Sequence, residues 1–240
     1  MIVRPIVRRW RDPEALAAGL AARLAPVIAD IARRRGLCHL ALAGGKTPRA
    51  MYTRLAHEAA IDWSRVAIQF GDERMVEPDD PSSNYLMACE SLLAAIETAP
   101  AAVDRIHGEL GPDAAAEHYD VLLRRDGLPD VALLGMGDDG HVASLFPGTV
   151  VNHGVYAMPT ISPIAPFERV SMTFSALAHA EMIVLIVSGT AKAERLAEVW
   201  QQIVSGKPTL PAARVAAHSD GRVEWHVDED AAAFLPESLR

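Results

Sequence analysis

Cysteine is nearly missing: the 240-residue chain has two, Cys38 and Cys89. That excludes a disulfide-stapled scaffold and fits a reducing compartment, with both thiols expected as small buried apolar groups. No apolar run is read as approaching the ~20 residues of a membrane span. The opening MIVRPIVRRW interrupts its apolar residues with arginines and a proline, so it does not read as a secretory leader. A cytoplasmic protein with no membrane partner is expected. Basic charge is also short: 23 Lys and Arg stand against 31 Asp and Glu, a net charge of −8. This argues against a nucleic-acid partner, and it requires any anionic ligand to be drawn in by a local basic cluster. G-x-S-x-G, H-E-x-x-H, paired cysteine ligands and a Walker lysine loop are all absent, which removes the chemistries those motifs carry and leaves no metal site expected. Without repeats, low-complexity tracts or a long polar linker, the chain reads as one domain, 1–240.

What remains is an alternation of strand-length apolar runs with helix-period segments, the pattern of a parallel α/β sheet. A helix is predicted from Pro13 to Arg35, with Asp12 as N-cap, a stripe of Leu16, Leu20, Leu24, Val27, Ile28 and Ile31, and a kink or split at Pro26. Strands are predicted at Leu37–Ala43, Val66–Phe70, Val131–Leu134, Arg169–Phe174 and Met182–Val187. Helices are predicted from Thr47-Pro48 to about Glu58, near Asn84–Ile96, over Asp113–Arg125, and from Thr190 until Pro208 and Pro211 end the last clear one. Ligands of such sheets bind at the carboxyl ends of the strands.

Four loops at those ends concentrate chemistry. Gly44-Gly45-Lys46-Thr47 opens a helix and offers backbone N–H groups to an anion, although a plain capped turn has the same sequence. Gly71-Asp72-Glu73-Arg74 packs three charges at a strand end, with Asn84 on the next helix; the charges are either solvated or used. Gly135-Met136-Gly137-Asp138-Asp139-Gly140 matches G-x-G-x-x-G, but Pro147 follows within seven residues and no acidic residue appears before Glu168, so a dinucleotide site fails on context. Asp139 and His141 then present a general base with a carboxylate that fixes its tautomer, or a histidine bonded to loop carbonyls. Ser188-Gly189-Thr190-Ala191-Lys192 places a lysine in the first turn of a helix, as Lys46 and Arg49 flank another. Cations there oppose the helix dipole unless an anion is bound, which suggests a phosphate. His57 and His118 are expected at the surface or boundary.

Taken together, GGKTP, GDERMVEPDDPSSNY, GMGDDGHVASLFPG and the stretch from ERVSMTF to VSGTAKAERL resemble the 6-phosphogluconolactonase family, as does the closing PTLPAARVAAHSDGRVEWHVDEDAA. The resemblance implies a Rossmann-like three-layer α/β fold with a mostly parallel sheet. It also implies hydrolysis of 6-phospho-D-glucono-1,5-lactone without a redox cofactor or metal, the partner being that phosphorylated lactone. It makes His141 the base, Asp139 its orienting carboxylate, and Arg74 or Arg169 the oxyanion donor. Gly44, Gly45, Lys46, Thr47, Asp72, Asn84, Gly137 and Lys192 then bind the substrate and its phosphate, with Arg74 also facing the phosphate. Lys46 stands where serine is usual and Val142 where threonine is usual, and Pro159–Phe167 lacks a Lys-Pro-Pro run. The related glucosamine-6-phosphate deaminases typically carry a tyrosine where this chain has Arg74. A non-catalytic sensor would be expected to lose His141 or Asp139. Oligomeric state is not readable.

Overall fold

The computed structural model describes residues 6–150, 154–219 and 221–239. Seven strands form one sheet in which every pairing is parallel. They are β1 (Ile6–Trp10), β2 (Cys38–Leu42), β3 (Val66–Phe70), β5 (Ala102–Asp104), β6 (Val131–Gly135), β9 (Met182–Val187) and β10 (Arg222–Asp228), in the order β1-β10-β9-β6-β2-β3-β5. A small antiparallel sheet of β4 (Asp72–Arg74), β8 (Glu168–Met172) and β7 (Ala157–Ile161) lies beyond the carboxyl end of β3. β3 and β9 are buried along their whole lengths, as expected of strands covered on both faces.

The chain steps from β2 outward through β3 to β5, then returns to the other side of β2 and steps through β6 and β9 to β10, which lies inside the edge strand β1. Right-handed crossovers in opposite directions place helices on opposite faces, giving three layers. The reversal falls between β2 and β6, which pair only at Leu40–Val131 and Ala41–Ala132, while β6 and β9 pair over five positions.

The helices are α1 (Pro13–Arg35), α2 (Lys46–Leu55), α3 (Asn84–Ala88), α4 (Pro112–Asp126), α5 (Phe174–Ala178), α6 (Ala193–Ser205) and α7 (Pro211–His218). Helix α1 has the predicted bounds and Asp12 cap but runs unbroken through Pro26. By length and composition α1 is also long and apolar enough to cross a membrane. That corrects the expectation of no such run; alanines between the stripe positions raise its mean hydropathy. In the fold, Leu16, Leu20, Leu24, Ile28 and Ile31 are buried in one contiguous apolar core.

Other boundaries shift for local reasons. Gly45, not Thr47-Pro48, is the N-cap of α2. The helix predicted to Ile96 is α-helical only to Ala88, then forms a π-type turn over Cys89–Leu93. β8 stops at Met172 because the Thr173 hydroxyl caps α5. Gly206 in the left-handed conformation ends α6, and Pro211 begins α7 rather than merely ending a helix. Cys38 is buried and Cys89 half-buried.

β1 and β10 carry charges that hide them from a hydropathy reading. Glu224, fully buried on β10, accepts from Arg8 Nε at 2.9 Å and from Arg23 Nε and NH2 at 3.0 and 2.6 Å. The Trp10 indole donates to His226 Nδ1 at 3.2 Å, leaving His226 Nε2–H to point at Glu224, 3.3 Å away. Burial by itself raises the Glu224 pKa, but the bonds from His226, Arg23 and Arg8 outweigh it and hold the carboxyl well below the ordinary range. A carboxylate depressed in the folded state stabilises above its unfolded pKa and loses that contribution as pH falls toward the folded value. Glu224→Gln is expected to cost about 2–4 kcal/mol in urea unfolding at pH 7, by unpairing a buried ionic network. The gap to the parent protein should shrink below pH ~4; a gap that does not change with pH would contradict the assignment.

Candidate active site

A cleft of about 680 Å³ lies at the carboxyl edge of the sheet, lined by the loops that follow β2 and β6. Every site residue expected from the sequence lines it: Gly44, Gly45, Lys46, Thr47, Asp72, Arg74, Asn84, Gly137, Asp139, His141, Arg169 and Lys192. Arg49, which also flanks the α2 start, instead pairs with Glu90 at 2.9 Å and is not among the lining residues. His57 and His118 are exposed.

The loop after β2 is anchored by the buried Tyr52, whose hydroxyl accepts from Ala43 N at 2.8 Å and donates to Ala43 O at 2.9 Å. Gly45, at φ 110°, starts α2 with no side-chain cap, and Gly45, Lys46 and Thr47 line the cleft. Gly44 is needed for close approach, since a Cβ there would lie 2.2 Å from Asn84 Oδ1.

The loop after β6 folds back on itself: Gly137 N donates to His141 O at 2.9 Å and Gly140 N to Gly137 O at 3.0 Å. Asp139 Oδ1 lies 2.6 Å from His141 Nδ1 and also accepts from His141 N at 3.1 Å. Partial burial opposes ionisation of Asp139, but the His141 backbone N–H and the imidazole outweigh it and lower the Asp139 pKa. An ionised Asp139 accepts from Nδ1–H, which leaves Nε2 of a neutral His141 as a base. The Phe146 ring packs against the imidazole with centroids 4.7 Å apart. Val142, at the usual threonine position, is fully buried and joins the core. Its neighbour Ala143 holds φ 49°, a conformation costly for a residue with a Cβ and kept only by surrounding structure.

The three charges after β3 divide their work. Glu73, 2% exposed, accepts from Asn84 N at 2.7 Å, Tyr85 N at 2.8 Å, Arg74 N at 2.8 Å and Ser83 Oγ at 3.1 Å. It is therefore a buried cap for the start of α3, and burial raises its pKa despite those donors. Asp72 accepts from Ser144 Oγ at 2.6 Å and, at 3.5 Å, from Asn84 Nδ2, tying three loops together. Arg74 stands directly opposite Arg169 in the β4–β8 register. Like charges facing across a strand pair are unfavourable unless an anion lies between them. Burial, and after it Arg74, lowers the Arg169 pKa. Arg74 Nε is buried with no hydrogen-bond partner among the described residues, although its NH1 donates to Ser82 O.

Beyond β9, Gly189 N donates to both carboxylate oxygens of the buried Asp228 at 3.0 Å, and Ser188 Oγ to Oδ2 at 2.5 Å. This fixes the turn that carries Lys192, which caps α6 rather than lying in its first turn. Lys192 Nζ pairs with Asp138 Oδ1 at 2.5 Å. The sequence reading did not single out Asp138, Ser144 or Asp228. Asp138 and Ser144 sit inside the quoted motif as ordinary polar residues, and nothing local marks Asp228. Among the described residues no group of three or more His, Cys, Asp or Glu is placed to hold a metal ion.

A Cβ on Gly137 would lie 2.1 Å from His141 Nδ1 and Cε1. Gly137→Ala is therefore expected to displace the imidazole and abolish the hydrogen-bonded Nδ1 proton in the NMR spectrum, with the far-UV circular dichroism retained. Survival of that proton signal would contradict the packing described.

The family whose model describes glucosamine-6-phosphate isomerases and 6-phosphogluconolactonases matches residues 11–225. A 6-phosphogluconolactonase of Treponema pallidum is 37% identical over 231 residues, covering 92% of this chain and 90% of the relative. One of Streptomyces coelicolor is 34% identical over 255 residues, covering 95% and 94%. The crystal structure of a 6-phosphogluconolactonase from Shewanella baltica superposes with a TM-score of 0.84 at 26% identity, covering 95% of this chain and all of that one.

Proposed function

This chain belongs to the family of glucosamine-6-phosphate isomerases and 6-phosphogluconolactonases, and from that premise we infer that it hydrolyses 6-phospho-D-glucono-1,5-lactone to 6-phospho-D-gluconate, the second step of the oxidative pentose phosphate pathway. The curated relatives named for this activity span nearly the whole chain. Arg74, where the deaminase branch typically has tyrosine, supports the lactonase branch. The observation that carries the reading is the His141–Asp139 pair, 2.6 Å apart, beside a cleft lined by Arg74, Arg169 and Lys192.

In the proposed mechanism, the substrate phosphate lies on the Gly44, Gly45, Lys46 and Thr47 backbone and against Lys192, where free N–H donors and a cation meet. Asp72 and Asn84 face the sugar hydroxyls, and Gly137 leaves room for the imidazole. Neutral His141 takes a proton from water through Nε2 while the water oxygen attacks the lactone carbonyl carbon. Asp139 holds the imidazole and balances its charge. The opposed pair Arg74 and Arg169 stabilises the oxyanion, which answers their mutual repulsion. As the ring C–O bond breaks, His141 returns the proton to the departing ring oxygen. General base catalysis worth ~10²–10⁴ and oxyanion stabilisation worth ~10²–10³ suffice for a lactone that also opens unaided. No metal or organic cofactor enters the scheme, and a cytoplasmic location belongs to the same proposal.

The test is a coupled assay of lactone consumption with the spontaneous rate subtracted. His141→Ala is expected to lose about 10²–10⁴ in kcat with the fold kept. Asp139→Asn should fall between it and the parent enzyme, and Lys192→Ala should chiefly raise KM. Near-parental kcat in His141→Ala would place the base elsewhere. In the same assay, unphosphorylated gluconolactone is expected to show a kcat/KM lower by at least ~100-fold, and exhaustive chelation should leave activity intact. Equal efficiency on both lactones would remove the phosphate site, and loss of activity restored by one divalent ion would remove the general-base scheme.

A further inference from the structure

The loop that carries His141 also carries Asp138, to which the mechanism gives no task. Its side chain is 73% exposed, yet Oδ1 lies 2.5 Å from Nζ of Lys192, itself 24% exposed. The backbone holds Asp138 there: Arg195 Nε donates to Asp138 O at 3.1 Å, while the far end of Arg195 pairs with Glu198. Arg49, at the start of α2, is likewise committed to Glu90. Asp138 is the one ion-pair partner of Lys192 among the described residues. The cation best placed to meet a phosphate is thus already occupied by a carboxylate that solvent reaches freely.

Resting on the reading that Lys192 binds the substrate phosphate, we propose that Asp138 is a built-in competitor for Lys192. It holds the lysine in the empty cleft, yields to the phosphate, and re-forms the pair as the phosphorylated product leaves. An exposed ion pair is weak and easily broken, and a phosphate brings more oxygens and nearly twice the charge of a carboxylate, so the incoming group wins. The displaced carboxylate stays nearby and repels the bound dianion. Asp138 therefore lowers affinity for every phosphorylated ligand while leaving an unphosphorylated lactone unaffected, which narrows the discrimination between the two lactones and eases release of the phosphorylated product.

Asp138→Asn keeps the side-chain shape and the backbone carbonyl that Arg195 uses. Inorganic phosphate is the probe, as a competitive inhibitor of hydrolysis of the phosphorylated lactone. The parent enzyme is compared with Asp138→Asn, Lys192→Ala and the double variant. Asp138→Asn is expected to tighten the phosphate inhibition constant about three- to tenfold, as loss of one exposed pair and one like-charge repulsion implies. It should lower KM for the phosphorylated lactone in proportion and widen the kcat/KM ratio between the phosphorylated and unphosphorylated lactones. A merely damaged loop would weaken binding, not tighten it. Lys192→Ala should weaken phosphate inhibition, and Asp138→Asn should gain much less in that background. If Lys192→Ala weakens inhibition but Asp138→Asn leaves it unchanged or weaker, the competitor role is overturned and the phosphate site stands. An equal gain with and without Lys192 also overturns it. If Lys192→Ala leaves phosphate inhibition unchanged, the phosphate reading falls and the competitor falls with it.

Discussion

The pairing of β2 with β6 governs the rest of the molecule. These neighbours pair at Leu40–Val131 and Ala41–Ala132, at the point where the winding of the sheet reverses. The chain leaves them in opposite directions across the sheet, so their following segments cannot close over one another. The cleft at their carboxyl ends is lined by Gly44 and Gly45 from one side and by the loop that carries His141 from the other. A sheet wound in one direction only would have covered that edge.

Loops at such an edge lack the internal hydrogen bonding of helices and strands, so their backbone N–H groups need other acceptors. Buried carboxylates supply them. Glu73 takes the first N–H groups of α3, Asp228 takes the Gly189 turn, and Asp72 joins Ser144 to Asn84. Tyr52 performs the same service for Ala43 with a neutral hydroxyl. Side chains on these loops are thereby fixed before any ligand arrives, which is what stabilisation of developing charge requires.

Electrostatics sharpen the arrangement. The chain as a whole is acidic, yet the cleft brings Arg74 opposite Arg169 and adds Lys46 and Lys192. The β4–β8 ribbon holds the two arginines face to face, and Asp72 and, after it, Glu73 partly offset the repulsion at Arg169. Asp72 and Glu73, the two acidic residues packed at the end of β3, are both engaged in holding loops.

By itself the sequence determined the α/β class, the bounds of α1, β3 and β9, and many of the charged and glycine residues that line the cleft, though not Asp138 or Ser144. Each of those signals is local: a helix-period stripe, a run of β-branched residues, or glycines beside ionisable groups where a strand ends. Tertiary structure alone decided what depends on partners remote in the chain. Strand β10 is a strand despite Glu224, His226 and Asp228 because Arg8, Arg23 and Trp10, some two hundred residues earlier, satisfy the first two. The opposition of Arg74 and Arg169 and the grip of Asp138 on Lys192 likewise arise only once separate elements are packed together. A polar residue's cost or use is set by what faces it, and the sequence does not write down what faces it.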